Sequence, residues 1–382
     1  MNETNTALKS ADFPFQSFRR ALRAWYRDHG RQLPWRAAED PYRVWISEIM
    51  LQQTTVTAVV PYFERFLQRF PDLRTLATAD ESEVLRLWEG LGYYSRARNI
   101  HKTARVLVAQ HEAQFPPDLA ALQMLPGIGR YTAGAIASFA FGLRAPILEA
   151  NTLRLYARLI GYRDDPRTTA GQRRLWEFAE QVLPAKEPGP FNQALMDLGA
   201  TVCTPERPAC ETCPVRTCCV AYALGLQNEI PQRARRPEIT LVTEYAVAVS
   251  SGQEFLLRKR QHGERWAGLW DFVRFSPPEG LDDPSNESWM STEATDRTGL
   301  ALKSLTPLLT FKHSVTRYQI MLRCFHATVA KAKRVSTDTE VWVTPDQFGD
   351  LPLSNPARKI ARHIQQLHSM TGKAAKSLPF PE

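Results

Sequence analysis

Apolar positions recur at helical spacing from the first patterned segment onward. Phe15, Phe18, Leu22 and Trp25 share one face, and Gly30 closes the helix they predict. Asp40-Pro41 reads as a cap followed by proline at the first helical position. It opens DPYRVWISEIMLQQT (Asp40–Thr54), which is apolar on most sides and predicts a largely buried helix. Helical periods continue to about residue 225. Between Gln227 and Thr240 the chain turns charged and Pro-bearing, as linkers do. The period then shortens. Thr240–Val249 and Glu254–Arg260 read as strands, and Tyr318, Ile320, Leu322 and Cys324 alternate with Arg317, Gln319, Met321 and Arg323 as in a half-buried strand. Leu353–Leu367 predicts an amphipathic helix with Asn355-Pro356 at its start, followed by a loose tail. An all-helical part therefore precedes a smaller α+β part, with no internal repeat.

The 382 residues are enough for two or three domains, and 43% hydrophobic content supports real cores. A formal net charge of +8 suggests a polyanionic partner, though only weakly. The N-terminus MNETNTALKSADF has neither the apolar core nor the cleavage site of a secretory signal. No run of about 18 apolar residues predicts a membrane span. The expectation is a cytoplasmic chain with reduced cysteines.

That compartment changes the meaning of CTPERPACETCPVRTCC, which holds five of the six cysteines. Cys203, Cys210, Cys213 and Cys219 give the spacing C-x6-C-x2-C-x5-C, and Cys218 is a spare that competes with Cys219 by spacing alone. Free structural cysteines and zinc are alternatives, but zinc ribbons usually carry two C-x2-C pairs and this segment has one. An iron–sulfur centre held by four thiolates is favoured. Cys324 lies in a strand pattern and is expected in the core.

Three further features place polar chemistry in apolar surroundings. LQMLPGIGRYTAGAIASFAFG (Leu122–Gly142) reads helix, Gly-rich turn, helix. Gly127 and Gly129 there permit close backbone approach to a ligand, and the following helix start offers free amides suited to phosphate. Tight packing is the simpler alternative; beside a basic charge and a cysteine cluster, a clamp on the DNA backbone is favoured. Glu48 has apolar Val44, Trp45 and Leu51 on adjacent turns. It belongs either to a thin polar stripe with Ser47 or to a desolvated carboxyl able to act as a general acid. Glu149 is the lone acid of RAPILEANTLRLYARLIGY (Arg144–Tyr162), where an apolar segment meets a helix. It could be a cap or a catalytic carboxylate.

Together these pieces resemble the MutY-type adenine DNA glycosylases of the helix-hairpin-helix superfamily. The likeness rests on LPWR (Leu33–Arg36), VWISEIMLQQT (Val44–Thr54), WEGLGYYSRARN (Trp88–Asn99), LPGIGRYTAGAIASFAFG (Leu125–Gly142), FNQALMDLGATVC (Phe191–Cys203) and the cysteine spacing. WAGLWDF (Trp266–Phe272) and TFKHS (Thr310–Ser314) resemble the family's Nudix-like C-terminal domain. The implied fold is multidomain, a mostly α helix-hairpin-helix glycosylase fold with a four-cysteine cluster loop and an α+β Nudix-like domain. Residues 1–226 would form the glycosylase domain, with a six-helix part near 36–144 and a cluster part from the N-terminal helix plus about 145–226. Residues 227–240 would be the linker, 241–370 the lesion-recognition domain and 371–382 a tail.

The resemblance implies removal of adenine mispaired with 8-oxoguanine or guanine, after the base is flipped from double-stranded DNA. It implies a [4Fe-4S] cluster on Cys203, Cys210, Cys213 and Cys219, a monomer and a nucleoid-associated location. Glu48 matches the acid that protonates the base. Glu149 falls where the family has the Asp that stabilises the cationic sugar, and Asn151 matches. Arg31, Trp35, Arg36 and Gln193 match the adenine pocket, and Gln53 and Tyr93 match residues that wedge into the base stack. Gly127, Gly129 and Arg130 fall on the DNA-binding hairpin. Tyr131 stands where lyase relatives such as endonuclease III carry a lysine; a phenol forms no Schiff base, so a monofunctional enzyme is implied. Phe311, Lys312 and His313 occupy a lesion-contacting loop that usually reads Phe-Ser-His. A lyase, a binder of the same fold that has lost catalysis, and a Nudix hydrolase are the rivals. The last is disfavoured because STEATDRTGL (Ser291–Leu300) lacks a glutamate-rich metal-binding helix.

Overall fold

The computed structural model describes residues 13–36, 39–232, 238–278, 287–329 and 336–374. The chain packs as two compact units, Met1–Thr78 with Arg98–Arg235, and Ala79–Ala97 with Arg236–Glu382.

The first unit is helical. Helix α1 (Phe15–His29) ends where the Gly30 N–H bonds the Tyr26 carbonyl at 2.9 Å. Helix α2 (Pro41–Leu51) begins as the Asp40-Pro41 pair predicts, with the Asp40 carboxylate accepting from the Tyr42 N–H at 2.9 Å. Then follow α3 (Val56–Arg69), α4 (Leu73–Thr78), α5 (Glu81–Leu87, grouped with the second unit) and α6 (Ser95–Gln110). The hairpin pairs α7 (Leu119–Met124) with α8 (Arg130–Phe141), and α9 (Ala150–Ile160), α10 (Thr169–Val182), α11 (Pro188–Thr201) and the short α12 (Val220–Ala223) complete the unit. One core joins α1, α9, α10 and α11 to the cysteine segment through Phe18, Leu22, Tyr156, Phe178 and Phe191, with Cys203 and Cys218 at its edge. Burying such side chains contributes about 2 kcal/mol each, which the short helices could not supply by propensity alone.

The second unit holds a seven-stranded mixed sheet. Its strands are β1 (Thr240–Ser251), β2 (Glu254–Lys259), β3 (Trp270–Asp271), β4 (Val273–Phe275), β5 (Leu302–Val315), β6 (Tyr318–Val329) and β7 (Glu340–Val343). The order β3-β2-β1-β6-β5 is extended by β4 on β1 and β7 on β2; β1 and β6 run parallel, the other pairs antiparallel. From Glu244 onward strand β1 is buried on both faces. Ala246 and Ala248 pack with Ile360, Ala361 and Ile364 of the last helix, α14 (Asn355–Ala374), while Tyr245, Val247 and Val249 pack with Met290 and Ala294 of α13 (Glu287–Thr298). Cys324 lies in the first of these cores, as expected.

Two boundaries differ in detail from the sequence reading. The cap of α14 is Ser354, whose Oγ accepts from the Ala357 N–H at 3.2 Å, which puts Pro356 at the second helical position. Residues 371–374 of the expected tail continue α14, and 375–382 lie outside the described residues. The expected linker is described except for 233–237. Among the described residues no helix is long and apolar enough to cross a membrane.

Candidate active site

Helix α2 delivers Glu48 into the first unit with only 3% of its surface exposed. The polar stripe with Ser47 is real, but it faces inward: Ser47 is buried and its Oγ donates to the Val44 carbonyl at 2.8 Å. The stripe borders a cavity of about 670 Å³. Glu48, Tyr131, Glu149 and Asn151 line it, as do Arg31, Trp35, Arg36, Gln193 and Gln53. Nine residues chosen from separate stretches of sequence thus converge on one cavity, within the size range of small-molecule sites.

Tyr131, in the first turn of α8, donates its hydroxyl to Glu48 Oε2. Burial raises the Glu48 pKa to about 7, against the Tyr131 hydrogen bond; the charge of Glu149 raises it and that of Arg36 lowers it. A carboxyl so placed holds a proton near neutrality and can give it up, which is the property a general acid needs. Tyr131 itself is pushed well above the usual phenol range, chiefly by burial and then by Glu48, and stays a neutral donor.

Glu149 is the cap that the sequence allows, and it also lines the cavity. It is the N-cap of α9. Oε2 accepts from the Asn151 N–H at 2.8 Å and Oε1 from the Thr152 N–H at 2.9 Å, while Thr152 Oγ1 accepts from the Glu149 N–H at 2.9 Å. The same carboxylate faces the cavity and is held by the Asn151 side chain at 3.3 Å. Burial raises its pKa, and the two helix amides and Arg154 oppose the rise.

Asp197, on α11 within the quoted FNQALMDLGATVC, is a site residue that the sequence reading passes over. It is fully buried and accepts from Arg31 Nε at 2.7 Å, Arg36 Nη1 at 2.8 Å and Arg36 Nη2 at 2.9 Å. Burial works to raise its pKa, but the bonds to Arg36 and then Arg31 outweigh it and hold the carboxyl below its usual range. The cationic wall of the cavity is therefore fixed from behind. Tyr26 extends the frame by donating to Gln193 Oε1 at 2.9 Å. A lone acid in an apolar helix is the available signal, the same one that picks out Glu48.

Two buried arginines one turn apart on α9 also escape the sequence reading. Arg154 donates to Asn151 Oδ1 at 2.9 Å and to the Cys203 carbonyl at 2.8 Å, and Arg158 Nη1 lies 3.2 Å from Cys203 Sγ. They join the cavity rim to the cysteine segment. Cys203, Cys210, Cys213 and Cys219 line one small cavity, and Cys218 is not among its walls. All five are free thiols. Burial pushes Cys213 up to about 12 and Cys219 up to about 11, so without a cation these are neutral thiols. Among the described residues no three metal-binding side chains converge on a point where one ion would sit. Four thiols around one cavity, with a guanidinium beside them, are a donor set consistent with an iron–sulfur cluster.

The two glycines of the hairpin differ in their surroundings. Gly127 has φ +74°, and a Cβ there would meet Asn99 Cβ at 2.7 Å, so this residue serves the turn and its packing. A Cβ on Gly129 would meet nothing within 4 Å, so a side chain fits there without a clash. Arg130 follows, exposed, its guanidinium 3.8 Å from the centre of the Trp176 ring. Gly129→Val is therefore the cleaner test of phosphate contact. It should weaken binding to any duplex and flatten the salt dependence, at a cost of no more than about 1 kcal/mol of stability, because Gly129 is the N-cap of α8. Unaltered affinity would make the hairpin a packing element.

In the second unit Tyr93 is 51% exposed, with φ +46°. Phe311, Lys312 and His313 lie not in a loop but within β5, opposite Leu322, Met321 and Ile320 of β6. The ladder makes Lys312 alternate with its neighbours: it is exposed while Phe311 and His313 are half-buried. His313 Nε2 lies 3.0 Å from Arg274 Nη2. Since a guanidinium only donates, that nitrogen accepts and the ring is neutral. Burial, then Arg274, hold its pKa at about 4 against the pull of Glu244, with Arg265 and Lys359 adding to the depression.

Comparison with known proteins accords with this geometry. Residues 46–181 match the HhH-GPD superfamily of base excision DNA repair proteins, and 244–363 match the NUDIX domain. The chain is 33% identical to the adenine DNA glycosylase of Buchnera aphidicola (subsp. Baizongia pistaciae), over 92% of this chain and 98% of that one. It is 43% identical to the adenine DNA glycosylase of Rattus norvegicus, over 94% of this chain and 80% of that one. Among solved structures, a thermostable thymine-DNA glycosylase aligns with a TM-score of 0.51 at 30% identity, covering 55% of this chain and 97% of that one. With relatives this similar over nearly the whole length, the chain belongs to the adenine DNA glycosylase family.

Proposed function

We propose that this protein hydrolyses the N-glycosidic bond of adenine mispaired with 8-oxoguanine or guanine in double-stranded DNA. It is a DNA N-glycosylase of base excision repair, as its family membership implies. The observation that carries the finer reading is Glu48, buried beside Glu149 and Tyr131 with a pKa of about 7. Glu48 gives its proton to the flipped adenine, which leaves with the electron pair of the breaking C–N bond. Glu149 stabilises the positive charge left on the sugar. Water adds to the anomeric carbon and loses a proton, and an abasic site remains. Arg31, Trp35, Arg36 and Gln193 shape the pocket, with Asp197 fixing the two arginines. Tyr131 offers no amine for a Schiff base, so strand cleavage does not follow. Residues 1–226 carry this chemistry and 241–370 read the lesion, a division supported by the two matched families. Single-turnover assay of a duplex with one adenine opposite 8-oxoguanine tests the reading. Free adenine with no strand break is expected; cleavage without added base would overturn it.

Cys203, Cys210, Cys213 and Cys219 would hold a [4Fe-4S] cluster, which would tie together the segment between α11 and α12. Purified protein should be brown, with about four irons per chain. Cys219→Ser should lower the iron content and Cys218→Ser should leave it unchanged. The reverse pattern, or stoichiometric zinc, would refute the ligand set.

A further inference from the structure

Glu89 sits in the turn after α5, within WEGLGYYSRARN and four residues before Tyr93. In the second unit its carboxylate is gripped by Arg358 of α14, with Nε to Oε1 at 2.5 Å and Nη2 to Oε2 at 2.7 Å. The Leu353 N–H adds a third bond to Oε2 at 3.3 Å. Arg358 is itself fixed, because it donates to the carbonyls of Phe348 at 2.6 Å and Leu351 at 2.9 Å. Both partners are only 16% exposed. A paired guanidinium and carboxylate, sheltered from water and with the guanidinium braced by backbone, is among the stronger polar contacts a protein makes.

The turn that this contact anchors has an unusual backbone. Gly90 (φ +102°), Gly92 (φ +70°) and Tyr93 (φ +46°) all occupy the positive-φ region, and for a tyrosine that is strained. Its inner side is closed by Trp88 Nε1 donating to the Gly92 carbonyl at 3.1 Å and by Arg96 Nη2 donating to the Leu91 and Gly92 carbonyls at 3.1 and 3.3 Å. Tyr93 remains exposed, with Arg96 over its ring at 5.4 Å. An exposed aromatic on a strained turn persists only where the surroundings hold it, and Glu89 is where α14 takes hold.

We propose that Arg358 and Glu89 are positioning residues for Tyr93, so that α14 takes part in base extrusion as well as in the C-terminal fold. The proposal rests on the reading of Tyr93 as a residue that wedges into the base stack. The clasp presets the turn before DNA arrives, and the strain of Tyr93 is borne by the fold instead of being imposed during binding.

The test uses full-length protein and a duplex carrying 2-aminopurine in place of the target adenine, so that the fluorescence rise reports unstacking. Glu89→Ala is the primary variant, because Arg358 keeps its two carbonyl bonds and the fold should persist, as thermal melting would verify. Extrusion, and adenine release measured on the matching adenine duplex, should slow by about tenfold, with duplex affinity within twofold of wild type. Glu89→Gln, which retains a neutral acceptor, should fall between Glu89→Ala and wild type. Arg358→Leu combined with Glu89→Ala should be no slower than Arg358→Leu alone, the mark of a shared interaction. Tyr93→Ala is the reference and should slow extrusion at least as much. If Tyr93→Ala slows extrusion and Glu89→Ala does not, the clasp is overturned while the wedge reading stands. If Tyr93→Ala extrudes the base at the wild-type rate, the wedge reading fails and the clasp proposal falls with it.

Discussion

Glu48→Gln is expected to abolish adenine release and, at the same time, to stabilise the fold. The amide keeps the shape of the side chain and can still accept from Tyr131. It has no proton to give. Loss of a general acid typically costs roughly 100- to 10,000-fold in rate. The stability effect has the opposite sign. Burial raises the folded-state pKa of Glu48 from the ordinary 4.5 to about 7, so folding favours the protonated form. That contribution is fully present below pH 4.5 and is lost as the pH rises through about 7. At pH 8 the wild type carries the whole cost of a desolvated carboxylate, roughly 3 kcal/mol for this interval. Glu48→Gln should therefore melt at higher temperature than wild type at pH 8, and the difference should vanish near pH 4. The same pKa sets the activity profile. Single-turnover adenine release by the wild type should fall by about tenfold per pH unit above neutrality. A flat profile, or a Gln variant no more stable at pH 8, would remove Glu48 from the acid role.

Glu149→Gln is the second large effect. Two contributions separate by size. As a cap, the carboxylate satisfies two amides of α9, and losing a cap costs about 1 kcal/mol of stability. As an electrostatic partner it faces a developing cation in a sheltered cavity, where removing such a group typically costs roughly 100- to 1,000-fold in rate. The Gln variant should thus be folded, bind duplex nearly as well as wild type, and release almost no adenine. Glu149→Asp should keep measurable activity. Asp is as good a cap, so the capping box with Thr152 can re-form, and the carboxylate shifts by only about one methylene. If Glu149→Gln released adenine at the wild-type rate, the cap would be its whole role. If the wild type released none and Glu149→Asp did, the chain would be a lesion binder that had lost its chemistry.

Local rules carry far in this molecule. Asp40-Pro41 starts a helix where capping chemistry puts one, and apolar period locates α1, α2, α8 and the strands β1 and β6, because burial of a stripe or a face is written directly into spacing. Glu48 stands out for the same reason: a charge among Val44, Trp45 and Leu51 is costly to bury, so the sequence marks it as either a polar stripe or a desolvated acid. Cys203, Cys210 and Cys213 are marked by spacing and compartment.

Other assignments need the chain to close on itself. Whether Cys218 or Cys219 faces the other thiols depends on the turn before α12, and adjacent residues have equal sequence claims. That Gly127 meets Asn99 while Gly129 meets open space is a contact between segments almost thirty residues apart. The loop expected around Lys312 is a strand, because the ladder with β6 is a non-local pairing. Asp197 looks like one more acid on a helix, and only the arrival of Arg31 and Arg36 from more than 160 positions away turns it into the anchor of the cavity wall. Pattern in one dimension records which groups must leave water. Which groups they then meet is a property of packing, and a charge or thiol acquires its chemistry from those neighbours.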